Sequence, residues 1–316
     1  MAIFTSAAKK TNVLPSLTRL SKRRKRIQTF KAYLFLAPII PFILAFDYFP
    51  FIRTFIYSLS KVNSRGEIVD FVGLQNYINI FGRKDFINSV LVTLKFTAMY
   101  VPLAIICPLL LALIASRKKP FSSVYQLLYS IPMAVSMAAT CLIFENMLTR
   151  NGLLNYILSL LGFMSNSTDI NWLGDATWAL PSLVMVSVWT LMGFDFMLLL
   201  AAVRNVPQDL SESAVIDGAG YWTKTLKITI PMISPTLFFV TCTQIIVGLT
   251  TIAPVMILTH GDPLGKTSTL IYYVYTTGFR SLNYTVGSTA SIIAFLLTLV
   301  FLLVNFLYEK RGVVYE

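Results

Sequence analysis

Six long apolar stretches constrain the fold of this chain more than any other feature of its sequence. Each is long enough to cross a bilayer as a helix, which takes roughly 20 residues, and none shows the alternation of a membrane-barrel strand. Charged residues make up 13% of the 316 residues, about half of the ~25% that is usual in soluble domains. The sequence therefore predicts an all-α polytopic membrane protein with six transmembrane helices, at 32–58, 92–115, 124–148, 177–203, 235–258 and 287–307.

Lysine and arginine are distributed unevenly between the two sides of these spans. Nine of the 26 lie in the segment 1–31, and the loops on its side carry more of them than the opposite loops. Because cytoplasmic loops are enriched in Lys and Arg, we expect both termini in the cytoplasm. The predicted organisation is a basic cytoplasmic segment 1–31, a membrane domain 32–307 with a cytoplasmic loop at about 204–234, and a short cytoplasmic tail 308–316. The basic run 21–26 is then expected to contact anionic lipid rather than nucleic acid.

The two longer exterior loops, 59–91 and 149–176, have room for short helices at the membrane surface. Within the second, NGLLNYILSLLGF (151–163) is apolar but too short to span a bilayer. We expect this segment to lie at the surface.

The residue pattern offers little support for an enzyme or a metal site. Cys107, Cys141 and Cys242 each lie inside an apolar run, and an odd, buried set of this kind favours neither disulfides nor metal binding. HGDPLGKT (260–267) resembles a phosphate-binding loop, but His260 replaces its first glycine and no strand is predicted before it. We expect this chain to carry no catalytic residue, cofactor or metal.

Polar residues within the spans are candidates for a solute pathway. Asp195 lies in span 4, where a charge costs a few kcal/mol or more and is usually functional. Trp189 in the same span offers a ring that could stack on a sugar, although lipid or core contact is commoner. One face of span 5 could line a cavity or could serve interhelical hydrogen bonding and close packing; its residues are Thr241, Gln244, Gly248 and Thr251.

The polar stretch LSESAVIDGAG (210–220) separates spans 4 and 5. Asp209 and Glu212 have the spacing of a capping box at the start of a helix. The glycines of DGAG predict that this helix ends in a tight bend, and a second short helix is expected to end near Pro231. A passive linker would need no such helix–bend–helix unit.

This stretch resembles the cytoplasmic EAA motif of permeases in binding-protein-dependent ABC importers. Ser213 replaces the middle alanine of the motif, and Thr225 stands where an aromatic residue is frequent. The resemblance covers roughly 32–307, and segments such as FVGLQNY (71–77) and THGDP (259–263) are similar to the first permease of the maltose-type (carbohydrate uptake) subfamily. The positions that match the motif are Glu212, Ala214, Asp217, Gly218, Ala219, Ile228, Pro231 and Pro235.

The resemblance implies a function and a set of partners. The chain would form half of the pathway of an ATP-driven importer in a bacterial or archaeal cell membrane, beside a second homologous permease. Two cytoplasmic ATPase subunits would bind ATP and Mg, and an extracytoplasmic binding protein would deliver a sugar, oligosaccharide or glycerol phosphate. The EAA helix would dock in a cleft of the ATPase, with a glycine bend where a side chain would obstruct the close approach of backbones. The implied coupling residues are Glu212, Ala214, Asp217, Gly218, Ala219 and Pro231.

A secondary transporter driven by an ion gradient is the alternative. Such a protein would carry ion ligands inside the membrane and inverted repeats. Neither is clear in this sequence, so the ATP-driven importer is the preferred interpretation.

Overall fold

The chain is seen in a computed structural model that describes residues 29, 31, 33–117, 122–163 and 170–312. Most of the predicted basic segment 1–31 and the last residues of the predicted tail 308–316 lie outside this range. The chain divides into two units, Met1–Thr54 and Phe55–Glu316.

The first unit contains most of the first apolar helix, α1 (Tyr33–Ser58). A π-helical turn at Leu44–Tyr48 interrupts the regular α-helix. Phe42 and Phe46, one turn apart, stack with their ring centroids 6.3 Å apart. Exposed aromatic and aliphatic side chains along this helix are what a lipid-facing span requires.

The remaining elements belong mostly to the second unit and begin with an antiparallel hairpin of β1 (Ser60–Val62) and β2 (Ile68–Phe71). The helices that follow in the described chain are α2 (Gln75–Phe81), α3 (Lys84–Ala115), α4 (Ser122–Ala134), α5 (Met137–Met147), α6 (Leu153–Leu160), α7 (Ala179–Asn205), α8 (Gln208–Ile216), α9 (Tyr221–Lys224), α10 (Ile230–Met232), α11 (Ser234–Thr250), α12 (Leu270–Val274) and α13 (Tyr284–Gly312).

Five helical segments of the described residues are long and apolar enough to cross a membrane: Tyr33–Ser58, Lys84–Ala115, Ala179–Asn205, Ser234–Thr259 and Tyr284–Leu307. The second begins eight residues before the predicted position 92. Polar Asn88 and Ser89 lower the hydropathy of this part of the helix, so the sequence prediction placed the start too late. Their side chains are satisfied in the structure, because they donate to Gly265 O and Phe86 O at 2.8 and 2.7 Å.

The predicted span 124–148 is a bent pair rather than one straight helix. Helices α4 and α5 meet at an angle of 101°. Ser136 lies at the bend with extended backbone angles, and its Oγ accepts a hydrogen bond from Ala139 N at 3.3 Å. This N-cap starts a new helix. The pair makes a sixth crossing only if it is counted as one broken span.

Helix α7 occupies the middle of the second unit, against α3, α4 and α11. The rings of Phe96 and Tyr100 on α3 stack at 5.5 Å and join a core that includes Leu183 and Val184 of α7. Small residues allow close approach, as in other membrane bundles. A Cβ on Gly193 of α7 would lie 2.9 Å from the backbone nitrogen of Met133 in α4.

The two loops expected outside the cell contain more structure than predicted. In the first, the short helix α2 follows the hairpin, and Asn76 donates to the carbonyls of Ser58 and Ser60 at 2.9 and 3.0 Å. Strands of three and four residues are too short to show the alternation of apolar and polar residues that predicts a strand. The hairpin was therefore not predicted from the sequence. In the second, the expected short helix is α6, on which Tyr156 and Leu160 are exposed.

A further short helix, α12, precedes the last span and was not predicted. It continues as a π-helical turn over Tyr275–Arg280, and its Leu270 N–H donates to Thr93 Oγ1 of α3 at 2.7 Å. A Cβ on Gly287 of α13 would lie 2.5 Å from Gly278 Cα in this turn. This backbone contact fixes the segment against the start of α13.

Candidate coupling loop and buried polar network

The loop between the fourth and fifth predicted spans begins with α8. This helix starts at Gln208, after Pro207, which makes no side-chain capping bond. The predicted capping box is therefore wrong, because Asp209 lies inside the first turn instead of before it. Glu212 accepts a hydrogen bond from the side chain of Gln208, 2.6 Å between Nε2 and Oε1. Asp209 still favours the helix, since its negative charge lies near the positive end of the helix dipole.

The end of α8 is a Schellman motif, which provides the tight bend that the glycine pattern predicted. Gly218 N–H donates to Val215 O at 3.0 Å, and Ala219 N–H donates to Ala214 O at 2.8 Å. The two bonds satisfy carbonyls that have no partner within the helix. Gly218 has φ +78°, in the left-handed region that glycine adopts at least cost.

From the sequence, glycine is expected at this bend because a side chain would obstruct the close approach of backbones. The space around Gly218 does not support that reason within this chain. A Cβ built there meets no heavy atom of the described chain within 4 Å, so this chain needs glycine for its backbone angle and not for clearance. Gly220 has φ −68° and equally open surroundings. The bend thus depends on the first glycine alone.

The tip of α8 presents apolar side chains to its surroundings. Val215 is 61% exposed and Ile216 is 86% exposed, whereas Ala214 is buried at 9%. Glu212 and Asp217 are also exposed on this short helix. Two neighbouring exposed aliphatic side chains with carboxylates nearby, at a hydrogen-bonded turn, offer apolar area that a protein partner could cover.

The second half of the loop leads directly into the fifth span. Helix α9 continues through a π-helical turn at Thr225–Thr229 into α10, which contains Pro231. Only Ile233 separates α10 from α11. The sequence predicted that the helical stretch ends near Pro231. In the structure it continues past this residue. Movement of α9 would be transmitted to α11 through nearly continuous helix.

Three helices meet at a buried polar network in the second unit. Gln244 of α11 donates from Nε2 to Asp195 Oδ2 of α7 at 2.6 Å. Its Oε1 accepts a hydrogen bond from the Tyr100 hydroxyl of α3, at 2.5 Å. All three side chains are buried, and Asp195 Oδ1 has no hydrogen-bond partner among the described residues. The structure thus brings together two residues predicted for the solute pathway.

Tyr100 was missed by the sequence argument, although a signal was present. A tyrosine hydroxyl inside a long apolar run needs a hydrogen-bond partner. Only the folded chain identifies that partner, since Tyr100 and Gln244 are 144 positions apart.

The other predicted residues of α11 have local roles in the structure. Thr241 donates to Leu237 O of its own helix at 2.7 Å. Gly248 is buried against α3, where a Cβ would lie 3.0 Å from Thr97 Cγ2. Neither residue takes part in the Asp195–Gln244 network.

The last two predicted pathway residues lie away from the network. Thr251 follows α11, and its carbonyl accepts a hydrogen bond from Thr269 Oγ1 at 3.0 Å. Trp189 is half-buried, with its ring edge-on to Phe144 at 5.4 Å between centroids. The face proposed from helical periodicity is therefore turned toward neighbouring helices of the same chain over most of its length.

Ligands for a metal ion are not clustered in the part of the chain that is described. Within it, no group of three or more His, Cys, Asp or Glu side chains has an arrangement that could hold a metal ion. Cys107, Cys141 and Cys242 are free thiols.

Comparison with known proteins gives consistent matches along almost the whole chain. Residues 77–311 match the family described as binding-protein-dependent transport system inner membrane component. The trehalose/maltose transport system permease protein MalF of Thermococcus litoralis is 33% identical over 297 residues, which cover 93% of this chain and 97% of the relative. The sn-glycerol-3-phosphate transport system permease protein UgpA of Yersinia pestis is 29% identical, over 90% of this chain and 95% of the relative. The lactose transport system permease protein LacF of Rhizobium radiobacter is also 29% identical, over 91% and 96%.

The fold is also that of a known structure. A chain of a bacterial ABC transporter involved in the import of the acidic polysaccharide alginate superposes with a TM-score of 0.79 and 24% identity, over 93% of this chain and 99% of that one. This likeness establishes a mostly helical membrane-permease fold.

Proposed function

The chain belongs to the family of inner membrane components of binding-protein-dependent transport systems, and we propose that it is the permease subunit of an ATP-driven importer for a sugar or oligosaccharide. It forms half of the translocation pathway in the membrane and leaves ATP hydrolysis to partner subunits. The three relatives named above carry trehalose/maltose, sn-glycerol-3-phosphate and lactose by their names, which supports a small, hydroxyl-rich solute.

The observation that carries this proposal is the exposed tip of α8. Val215 and Ile216 are largely exposed at the end of a helix closed by a Schellman motif. Burying two such side chains contributes about 1.5–3 kcal/mol each, so an ATPase cleft that covers them gains affinity and an oriented contact. We assign the coupling contact to this tip and its flanking residues: Glu212, Ala214, Asp217, Gly218, Ala219 and Pro231.

The proposed assembly contains a second homologous permease, two cytoplasmic ATPase subunits with ATP and Mg, and an extracytoplasmic solute-binding protein. Six spans with both termini in the cytoplasm place α8 and α9 on the ATPase side. The uneven distribution of Lys and Arg supports this orientation. The bent pair α4–α5 supplies the sixth crossing.

For the solute pathway we propose a division between framework and contact residues. Asp195, Gln244 and Gly248 are buried, and their contacts hold α3, α7 and α11 together. We assign solute contact to residues of the predicted set that are only half-buried: Trp189, Thr241 and Thr251.

The test is ATP-driven uptake in proteoliposomes that contain the full complex. Ile216→Asp places a charge in the proposed ATPase cleft, so we expect loss of ATPase co-purification and of uptake. Val69→Asp is the control, since Val69 is 62% exposed on the hairpin expected outside the cell. Uptake that continues without the ATPase and stops when an ion gradient is dissipated would refute the proposal. It would indicate a secondary transporter instead. A ligand screen of the cognate binding protein then identifies the solute.

A further inference from the structure

A cationic pocket of about 480 Å³ lies where the loop 204–234 meets the ends of α3 and α7. Three side chains supply its charge: Arg117 just after α3, Arg204 in the last turn of α7, and Lys224 at the end of α9. The other described residues that line it are neutral. The pocket thus gathers three positive charges from three separate elements, with no carboxylate among its described lining residues.

One of these cations is held in place by an aromatic ring. The guanidinium of Arg117 lies 3.9 Å from the centroid of the Tyr221 ring. This cation–π contact joins the end of α3 to α9 and limits the conformations of a long side chain. A contact with an aromatic ring does not use the N–H donors of a guanidinium in hydrogen bonds, so they can still bind an anionic acceptor.

The chemistry of the pocket selects an anion with several oxygens. Like charges brought together repel, and an anion that enters the pocket relieves this repulsion. Thr225 and Thr229 line the same pocket and are buried, which adds hydroxyl groups to the charged donors. A phosphate group accepts hydrogen bonds from both kinds of donor.

The surroundings favour the phosphate of a lipid. Ile114, Trp222 and Leu226 lie beside pocket residues in the chain and are 55%, 63% and 60% exposed. Tryptophan is enriched at the level of lipid headgroups, and basic pockets between helices on the cytoplasmic side suit anionic headgroups. The partly apolar lining, which includes Leu113 and Val203, suits glycerol and the first methylenes better than a free ion.

We propose that this pocket binds the phosphate of an anionic phospholipid through Arg117, Arg204 and Lys224. The inference rests on the proposed function only in placing the loop 204–234 at the cytoplasmic membrane surface. The bound headgroup links α3, α7 and α9, so it stiffens the joint between the spans and the coupling loop. Transport is therefore expected to require anionic lipid in addition to ATP and solute.

The test measures lipid retention by the full complex. The complex is purified in nanodiscs of phosphatidylcholine with phosphatidylglycerol, and the phosphatidylglycerol retained after transfer to detergent is counted by native mass spectrometry. Near a surface each Lys or Arg contributes about 1 kcal/mol to anionic lipid binding. Lys224→Gln should therefore weaken retention roughly fivefold, and Gln at all three positions about a hundredfold. Lys227→Gln is the matched control, since Lys227 is exposed three residues away and does not line the pocket.

Three results would overturn the proposal. One is equal retention by the wild-type complex and the triple variant, provided that both elute as the intact complex. Another is full displacement of the lipid by millimolar inorganic phosphate, which would make the site one for free phosphate. The third is loss of ATPase co-purification by the triple variant in pure phosphatidylcholine, which would identify the cations as a protein contact. Failure of the wild-type complex to bind ATPase at all would instead contradict the proposed function, with lipid retention unchanged.

Discussion

At residue 218 the loop proposed to couple to the ATPase, 204–234, depends on a backbone angle that other residues adopt only at a cost. Gly218 has φ +78° and open space around the position of a Cβ. A non-glycine residue in this conformation costs about 1–2 kcal/mol, which is enough to favour another course for the chain after α8. A large or charged side chain would in addition project into the surface proposed to meet the ATPase.

Three substitutions test the need for glycine at this position. We expect Gly218→Asp to abolish ATP-driven uptake without affecting insertion into the membrane, because it adds a charge to the surface proposed to meet the ATPase. Gly218→Asn should retain part of the uptake, because Asn has the same size as Asp and also tolerates the left-handed region but is neutral. Gly220→Ala should behave as wild type, since φ is −68° there. Uptake assays and membrane-fraction blots measure both effects, and normal uptake by Gly218→Asp would contradict the coupling role.

The Asp195–Gln244–Tyr100 network makes a different residue-level prediction. Gln244→Leu leaves two buried polar groups without their partner, and we expect a loss of about 1–2 kcal/mol of stability. The double variant Asp195→Leu with Gln244→Leu removes both members of the bond, so it should recover part of that loss. Thermal unfolding of the purified complex measures these changes.

Two alanine variants test the proposed division of the pathway residues. If Gln244 belongs to the framework, Gln244→Ala lowers the melting temperature and leaves the solute preference of uptake unchanged. Trp189→Ala should weaken the apparent affinity for solute. A changed solute preference in Gln244→Ala would return Gln244 to the solute-contacting set.

Residue-level features were predictable where they depend on neighbours in sequence. The Schellman end of α8 follows from DGAG, and the polar face of α11 follows from spacing. The partners of Gln244 were not predictable, because Asp195 lies 49 positions away and the choice between cavity and network depends on which helices meet. The capping box failed because the helix starts at Gln208 with Pro207 as its N-cap, two residues before the predicted N-cap Asp209, a difference that local spacing does not resolve.

At the scale of elements, two helices can pack closely where a glycine of one helix lies against the backbone of the other. Alanine in place of a helical glycine ordinarily stabilises a helix by about 1 kcal/mol. A loss of stability on this substitution therefore indicates a steric contact at the added Cβ. At Gly193 the contact is the backbone nitrogen of Met133, 2.9 Å from a Cβ. At Gly248 the contacts are Cγ2 and Oγ1 of the Thr97 side chain, at 3.0 and 3.2 Å, and a shift of a few tenths of an ångström would relieve them.

We therefore expect opposite outcomes for two similar substitutions. Gly193→Ala should destabilise the protein by about 1–3 kcal/mol, because α4 must move away from α7. Gly248→Ala should be close to neutral, since the gain in helix propensity offsets a small shift of Thr97. Thermal unfolding of both variants in the same lipid provides the comparison, and equal melting temperatures would show that α4 and α7 are not in close backbone contact.

Elements with a long apolar run could be predicted from sequence, and those without one could not. Hydropathy identified each long span to within a few residues at most ends. It missed the hairpin β1–β2 and the short helix α12, which depend on contacts such as Leu270 with Thr93. The 101° bend between α4 and α5 could not be predicted for another reason. Ser136 is as compatible with a helix interior as with an N-cap, so the sequence does not show that a helix starts there.

For the whole molecule, the charge distribution predicts an orientation in the membrane, and this orientation can be tested directly. Cys107, Cys141 and Cys242 are replaced by serine or alanine, and single cysteines are introduced at exposed positions. Ser213→Cys lies on α8, and Leu264→Cys lies in a loop expected on the opposite side of the membrane, where Leu264 is 84% exposed. A membrane-impermeant thiol reagent should label position 264 in intact cells and position 213 only in inside-out vesicles. The reverse pattern would invert the proposed topology.

The π-helical turn at Thr225–Thr229 has a consequence for how this loop can evolve. A π-turn holds one residue more than the α-helix it interrupts. Deleting that residue would restore regular helix with little rotation of the two flanks, whereas a deletion from regular α-helix rotates one flank by about 100° around the axis, which on α9 would carry Tyr221 away from Arg117. Gaps in alignments of related permeases should therefore fall within Thr225–Thr229 or around Val206 and Pro207, where the chain is not helical, and be absent from the regular helix at Tyr221–Lys224.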